Sequence, residues 1–246
     1  MSRLSAYLGP PITLEYLLPY PADNTAPQGY DFGAGWYTPD GTPAVYTQAI
    51  PLCLDTNLPH LARSLSSGLW LFHAGTVLPA ASHKPTLLQP LLDEDFIFTH
   101  QGSIGDFRST LGPLLRRFLA PGIEAQMQSQ AEAEYLFATL RHLLADDEEI
   151  SLDQAMAEMF ALLEGWLDEL PATLNIIISD GEGLYVARHA VNAACASLYY
   201  NTDDEAFPNG QLIATQPLTG SDYWQPVPEH HILILNADEP PELLAL

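Results

Sequence analysis

The chain reads as a single α+β domain of stacked sheets and helices, and three observations predict this. Strand-like segments come first, two long helical segments fill the middle, and strand-like segments return at the end, the order of sheets covered by helices. The 246 residues are 47% hydrophobic, enough to bury a full core. No internal repeat or low-complexity tract divides the sequence, and its interruptions are short, so residues 1–246 read as one domain.

The elements follow in chain order. Tyr7-Leu8, Gly35-Trp36-Tyr37, Trp70-Leu71-Phe72-His73 and Phe96-Ile97-Phe98 have the aromatic and aliphatic character of strands. Pro19 to Asn24 reads as a loop and Pro39-Asp40-Gly41 as a turn. Leu111 to Leu119 predicts a short helix. Glu132 to Leu144 predicts a longer one with Tyr135, Leu136, Leu140 and Leu143 inward. The acidic run Asp146 to Glu149 is a solvated corner. Leu152, Met156, Phe160, Leu163, Leu167 and Leu170 then recur at steps of three and four, one apolar stripe on a helix. Ser151 and Gln154 predict a capping box at its start, and Met156 and Met159 are core filler. Asn175 to Ile178 leads through Asp180-Gly181-Glu182-Gly183 into Leu184 to Arg188, a hairpin with a glycine-bearing turn. Ser197 to Tyr200, Gln211 to Thr215 and His231 to Leu235 add strands, with Asp203-Asp204-Glu205 another solvated corner.

Charge narrows the function classes. The chain has 31 Asp and Glu against 8 Lys and Arg, a formal charge of -23. Nucleic acid and anionic membranes need basic surface, so neither is expected as a partner. Two cysteines, Cys53 and Cys195, imply no disulfide framework and fit a reducing compartment. No basic segment followed by an apolar run opens the chain, and no stretch reaches membrane-spanning length, so the expected location is cytoplasmic. His230-His231 lacks metal-motif spacing, and no phosphate loop, CxxC or dinucleotide fingerprint is present. No metal and no cofactor is expected.

Motifs spread over nearly the whole chain carry a resemblance. They are the opening Met1-Ser2-Arg3-Leu4-Ser5-Ala6-Tyr7-Leu8-Gly9, Phe32-Gly33-Ala34-Gly35-Trp36-Tyr37, and His100-Gln101-Gly102-Ser103-Ile104. Leu174-Asn175 through Asp180-Gly181 to Arg188 continues the pattern, and Thr215 to Thr219, Trp224 and Val227-Pro228 close it. Together they resemble the class II glutamine amidotransferases, with the γ-glutamyl hercynylcysteine sulfoxide hydrolase of ergothioneine biosynthesis as the most similar branch. The resemblance implies a four-layer αββα sandwich of the N-terminal-nucleophile hydrolase type. It also implies a reacting residue exposed by removal of Met1, which uses its own α-amine as base.

Each part of that chemistry has a position here. The family's nucleophile is cysteine and this chain has Ser2, a less acidic hydroxyl that depends more on a local base. The family's oxyanion hole is Asn-Gly; Gln101 and Gly102 stand there, and the extra methylene of Gln101 shifts the amide donor. Gly75 falls where the resemblance implies an arginine that forks onto the substrate α-carboxylate, and glycine supplies no such contact. Glu132 stands where the resemblance implies an Asp that meets the substrate amine, Gln89 replaces a His, and Gln216 a Glu. The expected pocket lies between Ser2, the Gly33–Trp36 segment, His73 and Gln101-Gly102, with Phe32, Trp36 and Phe72 as an aromatic lining that favours a neutral or cationic, partly apolar group. The reading that follows is a degenerate amidotransferase-like protein that has lost glutaminase activity and binds a small-molecule ligand or a protein partner. The alternative is an active amidohydrolase with Ser2 as nucleophile and Gln101 and Gly102 as oxyanion hole, acting on a substrate other than glutamine.

Overall fold

The computed structural model describes residues 2–18, 30–50, 54–76, 87–147, 149–237 and 239–246. The Pro19–Asn24 loop, Cys53 and Glu148 of the acidic run lie outside the described residues.

The first strands and helices are β1 (Arg3–Thr13), α1 (Leu14–Leu17), β2 (Tyr30–Tyr37), β3 (Pro43–Gln48), α2 (Leu58–Ser64), β4 (Ser66–Thr76), β5 (Leu91–Leu92) and β6 (Ile97–Ile104). Helices α3 (Leu111–Phe118), α4 (Pro121–Glu124), α5 (Glu132–Asp146) and α6 (Leu152–Leu167) follow. The chain closes with β7 (Ala172–Ser179), β8 (Gly183–Val191), β9 (Tyr199–Asn201), β10 (Gln211–Ala214), β11 (Gln225–Pro226), β12 (His231–Asn236) and β13 (Glu242–Ala245).

The strands form two antiparallel sheets. One has the order β11-β9-β10-β1-β4-β2-β3, the other β13-β12-β8-β7-β6-β5. Alternation of side chains along each strand gives every sheet two faces. The facing sides carry Leu4, Ala6, Leu8, Leu69, Leu71 and Ile213 from the first sheet and Ile97, Ile177, Val186, Leu233 and Leu235 from the second, one continuous aliphatic layer. The outer face of the first sheet, with Tyr7, Phe32, Trp70 and Phe72, is covered by Leu14 and Leu17 of α1 and Leu58 and Ala62 of α2. The outer face of the second, with Phe98, Leu174, Ile176 and Ile178, is covered by α3, α5 and α6 through residues such as Leu115, Leu140, Met156 and Phe160. The result is helix, sheet, sheet, helix, the αββα sandwich that the resemblance implied.

Local chemistry explains the helices. In α6 the stripe Leu152, Met156, Phe160, Leu163 and Leu167 is buried, and Gln154 accepts the Ser151 N–H at 3.1 Å, the return arm of the capping box. Tyr135, Leu136, Leu140 and Leu143 of α5 are buried as their spacing requires. Leu170 lies past the end of α6 and packs against the same core from the loop. Helices α1, α2 and α4 and strands β3, β5, β11 and β13 had no pattern strong enough to predict them.

Polar ties cross between the sheets: Gln211 of β10 donates from Nε2 to the Asn236 carbonyl of β12 at 2.6 Å, and Tyr37 makes another. Tyr37, at the end of β2, places its Oη 2.7 Å from the Ser179 carbonyl at the end of β7 and 2.9 Å from the Asp95 carbonyl. Burial pushes the phenol pKa well above its ordinary range, so the hydroxyl remains a donor throughout the stable pH range. Tyr37→Phe leaves the buried Ser179 carbonyl without that donor, and we expect a loss of about 1–3 kcal/mol in urea denaturation. A variant as stable as the parent would show that the tie contributes nothing.

Candidate functional site

A cavity of about 710 Å³ opens where the two sheets end beside the start of α5. From the first sheet it receives Ser2, Asp31, His73 and Gly75; from the second sheet's side, Gln89, His100 and Gly102; and from the helical layer, Ala131, Glu132 and Ala133. The segment Asp106 to Ser109 and Gln130 complete its rim.

Strand register gathers these residues. Leu4 and Gly33 both pair with His73, and Asp31 pairs with Gly75, so β1, β4 and β2 end together with Ser2 two residues before Leu4. Period-two alternation puts Asp31, Gly33, Gly35 and Tyr37 on one face of β2 and Phe32, Ala34 and Trp36 on the other. Phe32 and Phe72 are therefore buried in the core under α1 and α2. Trp36 packs on Trp70 with ring centroids 5.7 Å apart and lines no part of the cavity. The expected lining by Phe32, Trp36 and Phe72 is thus absent, because those rings face the other side of the sheet, and Phe107 is the aromatic residue among the described lining.

Gln101 is also turned elsewhere. Its Oε1 accepts the Asn175 side-chain N–H at 2.8 Å, across the β6–β7 pairing, and it does not line the cavity. His100 and Gly102, its neighbours on β6, do line it. A Cβ at Gly102 would run into the Thr173 carbonyl, so this close backbone approach requires glycine. The structure therefore brings together Ser2, His73, Gly75, Gly102 and Glu132 of the expected site and leaves Trp36 and Gln101 outside the cavity.

Three further residues contribute: Gln89 is marked in the sequence only as the replacement for a family His, and the other two, Asp31 and Arg108, carry no sequence signal. Gln89 acts as a surrogate strand: its Oε1 accepts the His100 N–H at 2.6 Å and its Nε2 donates to the His100 carbonyl at 3.1 Å, fixing His100 at the cavity wall. Asp31 is 7% exposed and faces Gly75; a Cβ at position 75 would collide with Asp31 Oδ1 and lie 2.9 Å from His73 Cε1. The space beside Gly75 is therefore filled by a carboxylate instead of opening as a void. Among the described residues neither Asp31 Oδ1 nor His100 Nε2 makes a hydrogen bond of good geometry. Arg108 is the third, an exposed side chain and the only Lys or Arg among the described lining residues.

The electrostatics follow from burial. Desolvation lowers the His73 pKa to about 4 and the His100 pKa to about 4, so both imidazoles are neutral at pH 7. Burial raises the Asp31 carboxyl above its ordinary range, the Gly75 and Asp31 backbone N–H groups pulling the other way. Burial likewise raises Glu132, whose Oε2 accepts the Ile104 N–H at 3.2 Å and joins the end of β6 to the start of α5. Two neutral imidazoles and two desolvated carboxyls form a site that lacks a buried cation among the described residues. A cationic group would stabilise it, since an opposite charge favours the ionised carboxylates.

The two histidines make stability pH-dependent. The unfolded chain takes up protons near the ordinary histidine value of 6.5, whereas the folded chain does so only near 4. The unfolded state therefore binds more protons in that window, and stability falls as pH falls from about 6.5 to about 4. The slope approaches about 1.4 kcal/mol per pH unit for each histidine. Asp31 and Glu132, with raised values, bind protons first in the folded state and offset part of this loss at the acid end. Urea denaturation from pH 7 to 4.5 should show the decline, and His73→Gln or His100→Gln should flatten it; an unchanged slope in both variants would contradict the assignment.

No protein-family model matches the chain, and no curated protein matches it significantly. Solved structures do. A glutamine aminotransferase class-II domain protein from Silicibacter pomeroyi superposes with a TM-score of 0.74 at 24% identity over 99% of this chain and 98% of that one. The glutamine phosphoribosylpyrophosphate amidotransferase of B. subtilis superposes with a TM-score of 0.67 at 12% identity, covering 99% of this chain and 49% of its own. A predicted glutamine amidotransferase from Pseudomonas aeruginosa PA01 gives 0.53 at 13% identity over 100% and 95%. The chain has the N-terminal-nucleophile hydrolase fold of class II glutamine amidotransferases.

Proposed function

We propose that this protein is a class II glutamine amidotransferase-like protein that does not hydrolyse glutamine and that its cavity holds a small cationic ligand, a primary amine, or the basic side chain of a protein partner. The observation that carries this reading is the Asp31–Gly75 pair. A glutamine α-carboxylate brought to Gly75 would meet a buried carboxylate there, and like charges in a desolvated site repel strongly. An ammonium group would instead pair with Asp31, whose Oδ1 makes no hydrogen bond of good geometry. Glu132 adds a second carboxyl to the same cavity, and the chain's charge of -23 favours the approach of a cation.

Similarity to the γ-glutamyl hercynylcysteine sulfoxide hydrolase branch rests on sequence motifs, and the chain departs from the family's pattern at Ser2, Gly75 and Gln101. A cytoplasmic location fits the two-cysteine composition, and among the described residues no helix is long and apolar enough to cross a membrane.

A second reading is favoured by one observation: Ser2 and Gly102 both line the cavity. In that reading Met1 is removed, the Ser2 α-amine takes the hydroxyl proton, Oγ attacks an amide carbonyl, and the Gly102 N–H steadies the oxyanion while the leaving amine collects the proton. The intact mass of tag-free protein separates the two, since a retained Met1 removes the base and with it this mechanism.

Glutaminase assays test the leading reading. Ammonia release from glutamine should stay at background for the parent protein and for Ser2→Cys, because the α-carboxylate still faces Asp31. Restoring the family's pattern with Ser2→Cys, Gly75→Arg and Gln101→Asn also requires Asp31→Gly, since a side chain at 75 collides with Asp31. Robust turnover by the parent or by Ser2→Cys alone would overturn the reading.

A further inference from the structure

A second cluster of chemically capable side chains lies outside the cavity, where the loop after β8 meets the turn that enters β12. Cys195 Sγ is 4.0 Å from His230 Nε2. Cys195, Glu229 and His230 each present one ligand atom, all within 4.8 Å of one another. None of the three lines the cavity.

The cluster is backed by a chain of groups that orients it. His230 Nδ1 lies 3.2 Å from Nδ1 of His189, a residue 1% exposed beneath it and packed on the Phe160 ring. His189 Nε2 faces Glu164 Oε1 at 3.1 Å, although off the line of a good hydrogen bond. A carboxylate only accepts, so this contact favours the His189 proton on Nε2 and leaves a lone pair on its Nδ1. His230 then donates from Nδ1, and its Nε2 keeps a lone pair facing Cys195 Sγ. A second partner that fixes tautomer and ring orientation in this way is the arrangement that metal-ligating histidines use.

The backbone is prepared as well. Arg188 donates from Nε to the Ala196 carbonyl at 2.7 Å and from an Nη to the Val227 carbonyl at 2.8 Å, tying the loop that carries Cys195 to the segment that carries Glu229 and His230. The His230 N–H donates to the Arg188 carbonyl at 2.8 Å, and its carbonyl accepts the Leu246 N–H at 2.9 Å. His230 is held at φ 57°, in the left-handed region that histidine enters more readily than most residues other than glycine.

We propose that Cys195, Glu229 and His230 bind a single zinc(II) ion, with water at the fourth position. One thiolate, one imidazole and one carboxylate form the mixed sulfur, nitrogen and oxygen set that suits tetrahedral zinc and leaves a position open. Binding exchanges the Cys195 thiol proton for the ion and releases it to solvent. The Arg188 guanidinium, 3.3 Å from Glu229, adds a repulsive charge that the thiolate and carboxylate together outweigh.

Cobalt(II) titration of tag-free, chelator-treated protein tests the site. One equivalent should produce a near-ultraviolet thiolate-to-cobalt charge-transfer band that zinc(II) abolishes by displacement. Cys195→Ser should eliminate the band and Cys53→Ser leave it intact. His230→Asn removes the imidazole with a residue that tolerates the left-handed backbone, and it should weaken binding at least about 10-fold. His189→Gln, which acts through His230, should weaken it by about 10- to 100-fold. Circular dichroism establishes that each variant is folded. No band at stoichiometric cobalt, a band that survives Cys195→Ser, or an unchanged affinity in folded His230→Asn would overturn the proposal.

Discussion

Everything in this molecule depends on the aliphatic layer between the two sheets. Leu4, Ala6, Leu8, Leu69 and Leu71 meet Ile97, Ile177, Val186, Leu233 and Leu235 there, most of them fully buried. Burying a side chain of this size contributes about 1.5–3 kcal/mol, so the layer fixes which face of each strand points inward. A slip of one residue in β1, β2 or β4 would turn apolar groups outward and polar ones in. The same alternation that seats Leu69 and Leu71 carries His73 and Gly75 to the cavity, and the one that seats Leu4 leaves Ser2 beside them. The site is thus the polar continuation of the core's own pattern.

What the cavity recognises follows from which charges are buried with partners and which are not. His73 and His100 are held neutral by desolvation, and Asp31 and Glu132 are carboxyls whose burial raises their pKa. Asp31 occupies the space that a side chain at position 75 would need. The charge at the heart of the site is therefore the opposite of a carboxylate-binding arginine on the same fold. In the proposed reading fold and chemistry separate: the sandwich is retained while the electrostatic selection of its pocket is inverted.

Much of the scaffold was legible in the sequence because it is periodic. The α6 stripe from Leu152 to Leu167, the α5 face of Tyr135 to Leu143 and the β7–β8 hairpin around Gly181 each repeat a pattern over many residues. Helix α1, with four residues, and strands β5 and β11, with two each, repeat nothing; neighbouring chain segments define them. Within the site, Ser2, His73, Gly75, Gly102 and Glu132 were found through motif positions. Trp36 was expected in the pocket because it lies close in sequence to Gly33 and Gly35, yet alternation sends it to the opposite face. Gln101 was expected as an oxyanion donor, but a cross-strand contact to Asn175 holds its amide. Asp31 stood out in no motif, since its significance comes only from the β2–β4 register that sets it against Gly75.

In the proposed reading Asp31 makes this pocket select an ammonium group and reject an α-carboxylate. Calorimetric titration with glutamine and with 4-aminobutanamide, which is glutamine without its α-carboxylate, isolates that one difference. 4-Aminobutanamide should bind more tightly than glutamine, and Asp31→Asn should remove the preference. Tighter binding of glutamine, or a preference that survives Asp31→Asn, would contradict that reading.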